Sequence, residues 1–283
     1  MPYLMHIAFD NSRRLPRHIY YFEYAGVRFK LIQNEARKWS DVLLTIIPEN
    51  DSSAEQRAYS ATGEFLSALS WENSARIALR HEGGMGVGAC FRLRQAKCRV
   101  FRFPEVPFSG HATGYTISTI PATETDDQRI ALTLFREGHS SNKLLLSFLF
   151  YWQIMEIRTN DPVGWINKTY YRRVAGFYFN TDDVQQLPLR GRKLGEYLRE
   201  DCRHAIAHIR RKPGKRPLKF DVGEENRRLA ISTRIIQELA KHYITNVLGL
   251  RNKLYLVRKG GRGFPVYVTK AFLQRAHCVP AYH

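Results

Sequence analysis

The chain has 283 residues, 44% hydrophobic and 25% charged, enough apolar side chain for about two domains of roughly 100–200 residues each and too much for a disordered chain. Lys plus Arg is 44 against Asp plus Glu at 26, a net charge of +18, which points to a polyanion such as nucleic acid, a nucleotide or an anionic surface. The charge is lopsided: residues 1–128 carry 15 basic and 14 acidic side chains, and residues 129–283 carry 29 and 12, so the polyanion is expected at the C-terminal half.

Met1–Asp10 is mixed and then turns basic, unlike the basic, apolar, small-residue order of a signal peptide. Ile19–Ile32 alternates aromatic and β-branched residues around a turn at Ala25-Gly26, and Asp41–Ile47 is a short apolar strand stopped by Pro48. Ser53–Leu69 follows a cap cluster and has apolar residues at helical spacing. Ala75–His81 and Cys90–Phe103 read as strands around a glycine turn, Gly83-Gly84-Met85-Gly86. The run Gly84–Ala89 matches GxGxxA, but a dinucleotide site needs a helix after it, and a strand pattern follows. Ser109-Gly110-His111 is a lone histidine in a Pro/Gly loop, and Pro121–Gln128 is polar and acidic, which sets the domain boundary at 125/126.

The remainder reads as helices. Asp127–Gly138 ends in glycine, and Ser140-Ser141-Asn142 caps Lys143–Arg158. That second helix is apolar on nearly every face, which predicts a central position. Its greasy part, Leu144–Ile157, contains Gln153 and Glu156 and is too short for a bilayer core of ~30 Å, so no membrane partner is expected. Pro162–Val174, Lys193–Arg211 and Asp221–Leu248 complete a bundle. Leu254–Val257 and Pro265–Thr269 flank Lys259–Gly263 as a terminal β-hairpin. Cys90, Cys98, Cys202 and Cys278 lack CxxC spacing and fit reduced thiols in a cytoplasmic protein. The fold class expected is α+β: a mixed α/β domain over residues 1–125, then a helical bundle with a terminal hairpin over residues 126–283.

On an ideal wheel of about 100° per residue, Leu194, Leu198, Cys202, Ala205, Ile206 and Ile209 share one face of Lys193–Arg211. Glu196, Glu200, Arg203, His204, Ala207 and His208 share the other, so Arg203, His204 and His208 form a polar ridge facing away from the bundle. Arg203-His204-Ala205-Ile206-Ala207-His208 resembles the Arg-x4–6-His motif of the HEPN superfamily (higher eukaryote and prokaryote nucleotide-binding domains), in which a polar residue, here His204, follows the arginine. The resemblance covers roughly residues 128–250. The chain is also similar, more weakly, to methylamine-utilisation J-like proteins.

The HEPN resemblance implies a bundle that cleaves RNA without metal or other cofactor, pairing two such helices across a homodimer. It implies Arg203, His208 and His204 as catalytic residues. A histidine near neutral pKa can move the 2′-hydroxyl and 5′-oxygen protons, and a guanidinium can neutralise the phosphate oxygens. It further implies a defence or toxin-type role. Other members are non-catalytic nucleotide- or nucleic-acid-binding dimerisation modules, which stands as the alternative. A purely structural bundle whose charge serves solubility is a third reading.

His204 and His208 are also an i, i+4 pair that can hold zinc, with Glu200 one turn before. No remaining ligand set is recognisable, and Arg203 disfavours a dication, so no metal is expected. Arg210, Arg211, Lys212, Lys215, Arg216 and Lys219 follow the motif helix directly. They read either as a solvated loop or as a phosphate-tracking segment beside the site. Tyr170, Tyr171, Arg172 and Arg173 read likewise as part core and part surface, or as a stacking clamp for a single strand.

Overall fold

The computed structural model describes residues 3–13, 19–33, 40–49, 51–79, 84–87, 117, 119–171, 181–207, 223–253 and 257–260. The chain is α+β and divides into two units: Met1–Ala122 with Arg251–His283, and Thr123–Leu250.

Among the described residues, the first unit is an antiparallel seven-stranded sheet with one helix. The strands are β1 (Tyr3–Asn11), β2 (Ile19–Tyr24), β3 (Val27–Gln33), β4 (Ser40–Ile47), β5 (Ile77–Leu79), β6 (Gly84–Val87) and β7 (Val257–Gly260), and the helix α1 is Ala54–Asn73. The order is β5-β1-β4-β3-β2-β7, and β6 adds to the same edge of β1 as β5, pairing Tyr3–His6 while β5 pairs Phe9–Asn11. Ala25 (φ 50°) and Gly26 (φ 78°) make the two-residue turn between β2 and β3, where positive φ at both positions matches the twist of the flanking strands. Strict alternation places Tyr20, Phe22, Tyr24, Phe29, Leu31, Leu43 and Thr45 on the buried face. Helix α1 adds Ala58, Thr62, Phe65, Leu66 and Leu69 to this core. Buried polar pairs lie among these side chains too: the hydroxyls of Thr45 and Thr62 are 2.6 Å apart, and Asn11 Nδ2 donates to Asp41 Oδ2.

Three expectations change here. Tyr3–Asn11, whose composition is mixed, is a strand paired along its whole length, because its alternation is filled by Tyr, Met, Ile and Phe. The expected glycine turn is β6: without side chains, Gly84 and Gly86 can pair along β1 as readily as they can turn. The terminal hairpin is not an appendage of the bundle as far as it is described: Val257–Gly260, including the expected turn residues Lys259 and Gly260, is an edge strand on β2 of the sheet. The expected strand Cys90–Phe103, the Ser109-Gly110-His111 loop and Pro265–Thr269 lie outside the described residues.

The second unit contains α2 (Asp126–Ser140), α3 (Leu144–Glu156), α4 (Pro162–Tyr171), α5 (Thr181–Gln185), α6 (Leu194–Tyr197), a π-helical turn (Leu198–Arg203), α7 (His204–Ala207) and α8 (Gly223–Asn246). A reciprocal capping box starts α2: Thr125 Oγ1 accepts from the Gln128 amide, and Gln128 Oε1 accepts from the Thr125 amide. Gln128 Nε2 also donates to the Leu248 carbonyl at 2.8 Å, tying this start to the chain just past α8. Helix α3 packs on α2 and α8 through Phe148, Tyr151, Trp152, Ile154 and Met155. It is not enclosed all round, as its composition predicts: Leu144 and Leu146 are exposed. Gly195 lets α6 meet α4, for its amide donates to Asn167 Oδ1 at 2.8 Å and an added Cβ would sit 2.6 Å from the Val163 carbonyl oxygen.

Candidate functional site at the end of helix α3

The expected helix 193–211 is present over residues 194–207, but it is not one α-helix. At residues 198–203 it widens to a π turn, and the His204 amide donates to the Arg199 carbonyl, five residues back. A turn closed over five residues needs more residues to come round, so a wheel at a fixed 100° overstates the rotation across it. Tyr197 and Cys202 show the consequence. They are five apart, about 140° on an ideal helix, yet both are buried. The ideal wheel puts Tyr197 on the ionisable ridge, and the π turn instead gives it to the core.

Leu194, Leu198, Cys202 and Ala205 are buried as expected, and His204 is exposed. Arg203 is the last residue of the π turn, with its side chain 33% exposed. Its Nη2 lies 3.6 Å from Glu156 Oε1, and Glu156 is 39% exposed. The same Oε1 accepts a 2.6 Å hydrogen bond from the Trp152 indole N–H one turn earlier in α3. Trp152 is itself 2% exposed and lies flat on Phe148, with centroids 6.2 Å apart. The chain therefore offers, side by side, a guanidinium and a carboxylate held by a buried indole, and the residue after Arg203 is an exposed histidine.

Behind this surface the π turn is anchored by charge. Arg192 donates to Asp201, and its guanidinium lies 5.4 Å from the centroid of the Tyr197 ring. Arg228 of α8 approaches the same ring at 5.9 Å, donates to the Tyr197 hydroxyl at 3.2 Å and pairs with Glu225 at 2.6 Å. Burial pushes the Tyr197 phenol up to about 12. The hydrogen bond to Asp201 holds the Arg192 guanidinium above its usual range. Among the described residues, three buried atoms on α8, Arg228 Nε, Ser232 Oγ and the Tyr243 hydroxyl, have no hydrogen-bond partner.

Of the expected site residues, Arg203 and His204, neighbours in the chain, lie within the described residues. His208 and the basic run Arg210, Arg211, Lys212, Lys215, Arg216 and Lys219 lie outside the described residues, as do Arg172 and Arg173. Glu156 and Trp152 had no functional reading in the sequence. One signal was there: an acid at the C-terminal residue of an apolar helix faces the negative end of the helix dipole and needs compensating donors. Trp152 and Arg203 supply them.

Residues 131–245, most of the helical unit, match the family model described as methylamine utilization protein MauJ. No curated protein and no solved structure matches the chain. Among the described residues, no helix is long and apolar enough to cross a membrane.

Proposed function

We propose that the helical unit is an RNA-directed, metal-independent endoribonuclease of HEPN type, with Arg203, His204 and His208 as its reacting groups. Two copies of the chain would complete its site, and its role would be in defence or a toxin-type system. The observation that carries the reading is the half-exposed Arg203 followed by the exposed His204, in a half of the chain with 29 basic and 12 acidic side chains. The guanidinium suits the phosphate oxygens as charge develops on them, and an imidazole can take the 2′-hydroxyl proton or return one to the leaving 5′-oxygen. The attack joins the 2′-oxygen to phosphorus and breaks the bond to the 5′-oxygen, leaving a 2′,3′-cyclic phosphate without any metal-bound water. The six cations between Arg210 and Lys219 would follow the RNA backbone.

A second reading has its own support. The Glu156 carboxylate beside Arg203 opposes the extra negative charge that develops on a reacting phosphate, as would suit a nucleotide- or nucleic-acid-binding module without turnover. The test is cleavage of end-labelled RNA in EDTA by the wild type and by His208→Ala. Cleavage by the wild type alone, with cyclic phosphate ends, establishes the enzyme. Binding without cleavage by either protein, at near-stoichiometric concentration, leaves the binding module. Light scattering at the mass of one 32.9 kDa chain, with and without RNA, removes the composite site.

A further inference from the structure

We propose that Glu156 is the ribose reader of this site: its carboxylate accepts a hydrogen bond from the 2′-hydroxyl next to the phosphate held by Arg203, and so selects RNA over DNA. The inference rests on the polyanion reading of the site and deepens it.

Three features of the dyad carry it. The first is the ion pair. At 3.6 Å the Arg203–Glu156 separation is longer than the about 2.7–2.9 Å of a charge-assisted hydrogen bond, so the two groups attract without consuming each other's hydrogen-bonding capacity. The second is the indole. The 2.6 Å bond from Trp152 Nε1 fixes the carboxylate through a side chain locked in the core, so Glu156 does not simply follow the arginine. The third is exposure. Both side chains remain more than 30% exposed and can meet one ligand together. A guanidinium beside a carboxylate held in place is a poor receptor for phosphate alone, because the carboxylate repels it. It suits a ligand that carries an anion and a hydroxyl donor on neighbouring atoms. In a polynucleotide that combination is the ribose 2′-hydroxyl beside its 3′-phosphate, and the 2′-hydroxyl is the group that distinguishes RNA from DNA. The carboxylate then reduces DNA affinity by repulsion and restores RNA affinity through the hydroxyl.

The test is a ratio of affinities, which neither a charge effect nor a loss of structure can imitate. Binding of one labelled sequence as RNA, as 2′-O-methyl RNA and as DNA is measured by fluorescence anisotropy in an H208A background, so that bound RNA is not cleaved. The parent should prefer RNA by about tenfold, the worth of one hydrogen bond to a charged acceptor. Glu156→Met, similar in length and without a carboxylate acceptor, should bind DNA and 2′-O-methyl RNA more tightly and bring the ratio close to one. Trp152→Phe, which keeps the core ring and removes the indole N–H, should lower the ratio part of the way. An unchanged RNA:DNA ratio in E156M overturns the proposal, whether both affinities rise or both fall. So does a parent that binds all three equally while still losing affinity on Arg203→Ala, an outcome that leaves the polyanion reading intact. A parent that binds no RNA at low salt removes that reading and this inference with it.

Discussion

In the sheet unit the Phe65 ring has Phe22, Phe29 and Tyr24 around it, at centroid distances of 4.7, 5.2 and 5.7 Å. In the helical unit the buried ring of Tyr197 has two guanidiniums around it, each paired with an acid. Both rings are fully buried. The first setting is built from dispersion and apolar burial, which have little dependence on pH. The second is built from cation–π contacts and ion pairs, which exist only while their partners keep their charges and hydrogen bonds. A charged core of this kind is an uneconomical way to stabilise a helix pair. It does hold a π turn in one register, and that register sets which way Arg203 and His204 face.

The largest expected effect is in the aromatic cluster. Phe65→Ala removes the ring that three others share and leaves a cavity under the sheet, at a cost of about 3–5 kcal/mol. Denaturant unfolding followed by far-UV circular dichroism should show this loss at pH 7 and undiminished at pH 9. A loss that changes markedly across that range would mean the sheet unit also depends on charge, and the contrast would fall.

Tyr197→Phe tests the other side. At neutral pH it takes the hydroxyl acceptor from Arg228, whose Nε already lacks a partner, and should cost about 1–3 kcal/mol. The alkaline limb is more telling. Burial raises the phenol from 10.0 to about 12 in the folded state, so the folded state holds its proton more tightly than the unfolded one. The stability tied to that proton is fully present below pH 10 and is lost as pH rises from 10 to 12. Tyr3, Tyr20 and Tyr243 are raised by burial too, so the wild type declines over several titrations. The difference between wild type and Y197F isolates this one: the two curves should converge as pH passes from 10 to 12. Parallel curves would show that Tyr197 ionises as freely folded as unfolded.

The same contrast explains what the sequence made legible. Strand alternation in Ile19–Ile32 and the Ala25-Gly26 turn are local patterns, and β2, β3, β4 and α1 lie close to where those patterns put them. Helices α2, α3, α4 and α8 were legible for the same reason, from caps and periodicity. Pairing was not. That Val257–Gly260 closes onto Ile19–Phe22 is a contact between residues more than 230 positions apart, and nothing local marks it. The glycine-rich β6 carries too few side chains to show a period. At the site, Arg203 and His204 were legible as a motif on a helix. The π turn was not, because a fixed rotation per residue cannot register it, and the burial of Tyr197 was therefore not legible. Glu156 was hidden by its surroundings, a charged residue read as an interruption in a greasy helix.

The smallest effect has the opposite sign and concerns a glycine. Gly63 lies within α1, where glycine is less favourable than alanine by about 1 kcal/mol through the extra freedom of the unfolded chain. A Cβ there meets nothing within 4 Å, so no packing cost opposes the gain. The Gly63 carbonyl accepts from the Ser67 hydroxyl at 2.7 Å, a bond that a side chain at residue 63 leaves in place. Gly63→Ala should therefore stabilise the protein by about 0.4–1 kcal/mol, read as a higher denaturant midpoint at unchanged slope. Gly195 admits no such gain: its Cβ would lie 2.6 Å from a backbone oxygen of α4, which cannot move aside as a side chain can. The helix of the sheet unit thus has room that the helix carrying Arg203 lacks. A destabilised G63A would show that α1 is as tightly bound to its surroundings as α6, and the difference in packing between the two units would be lost.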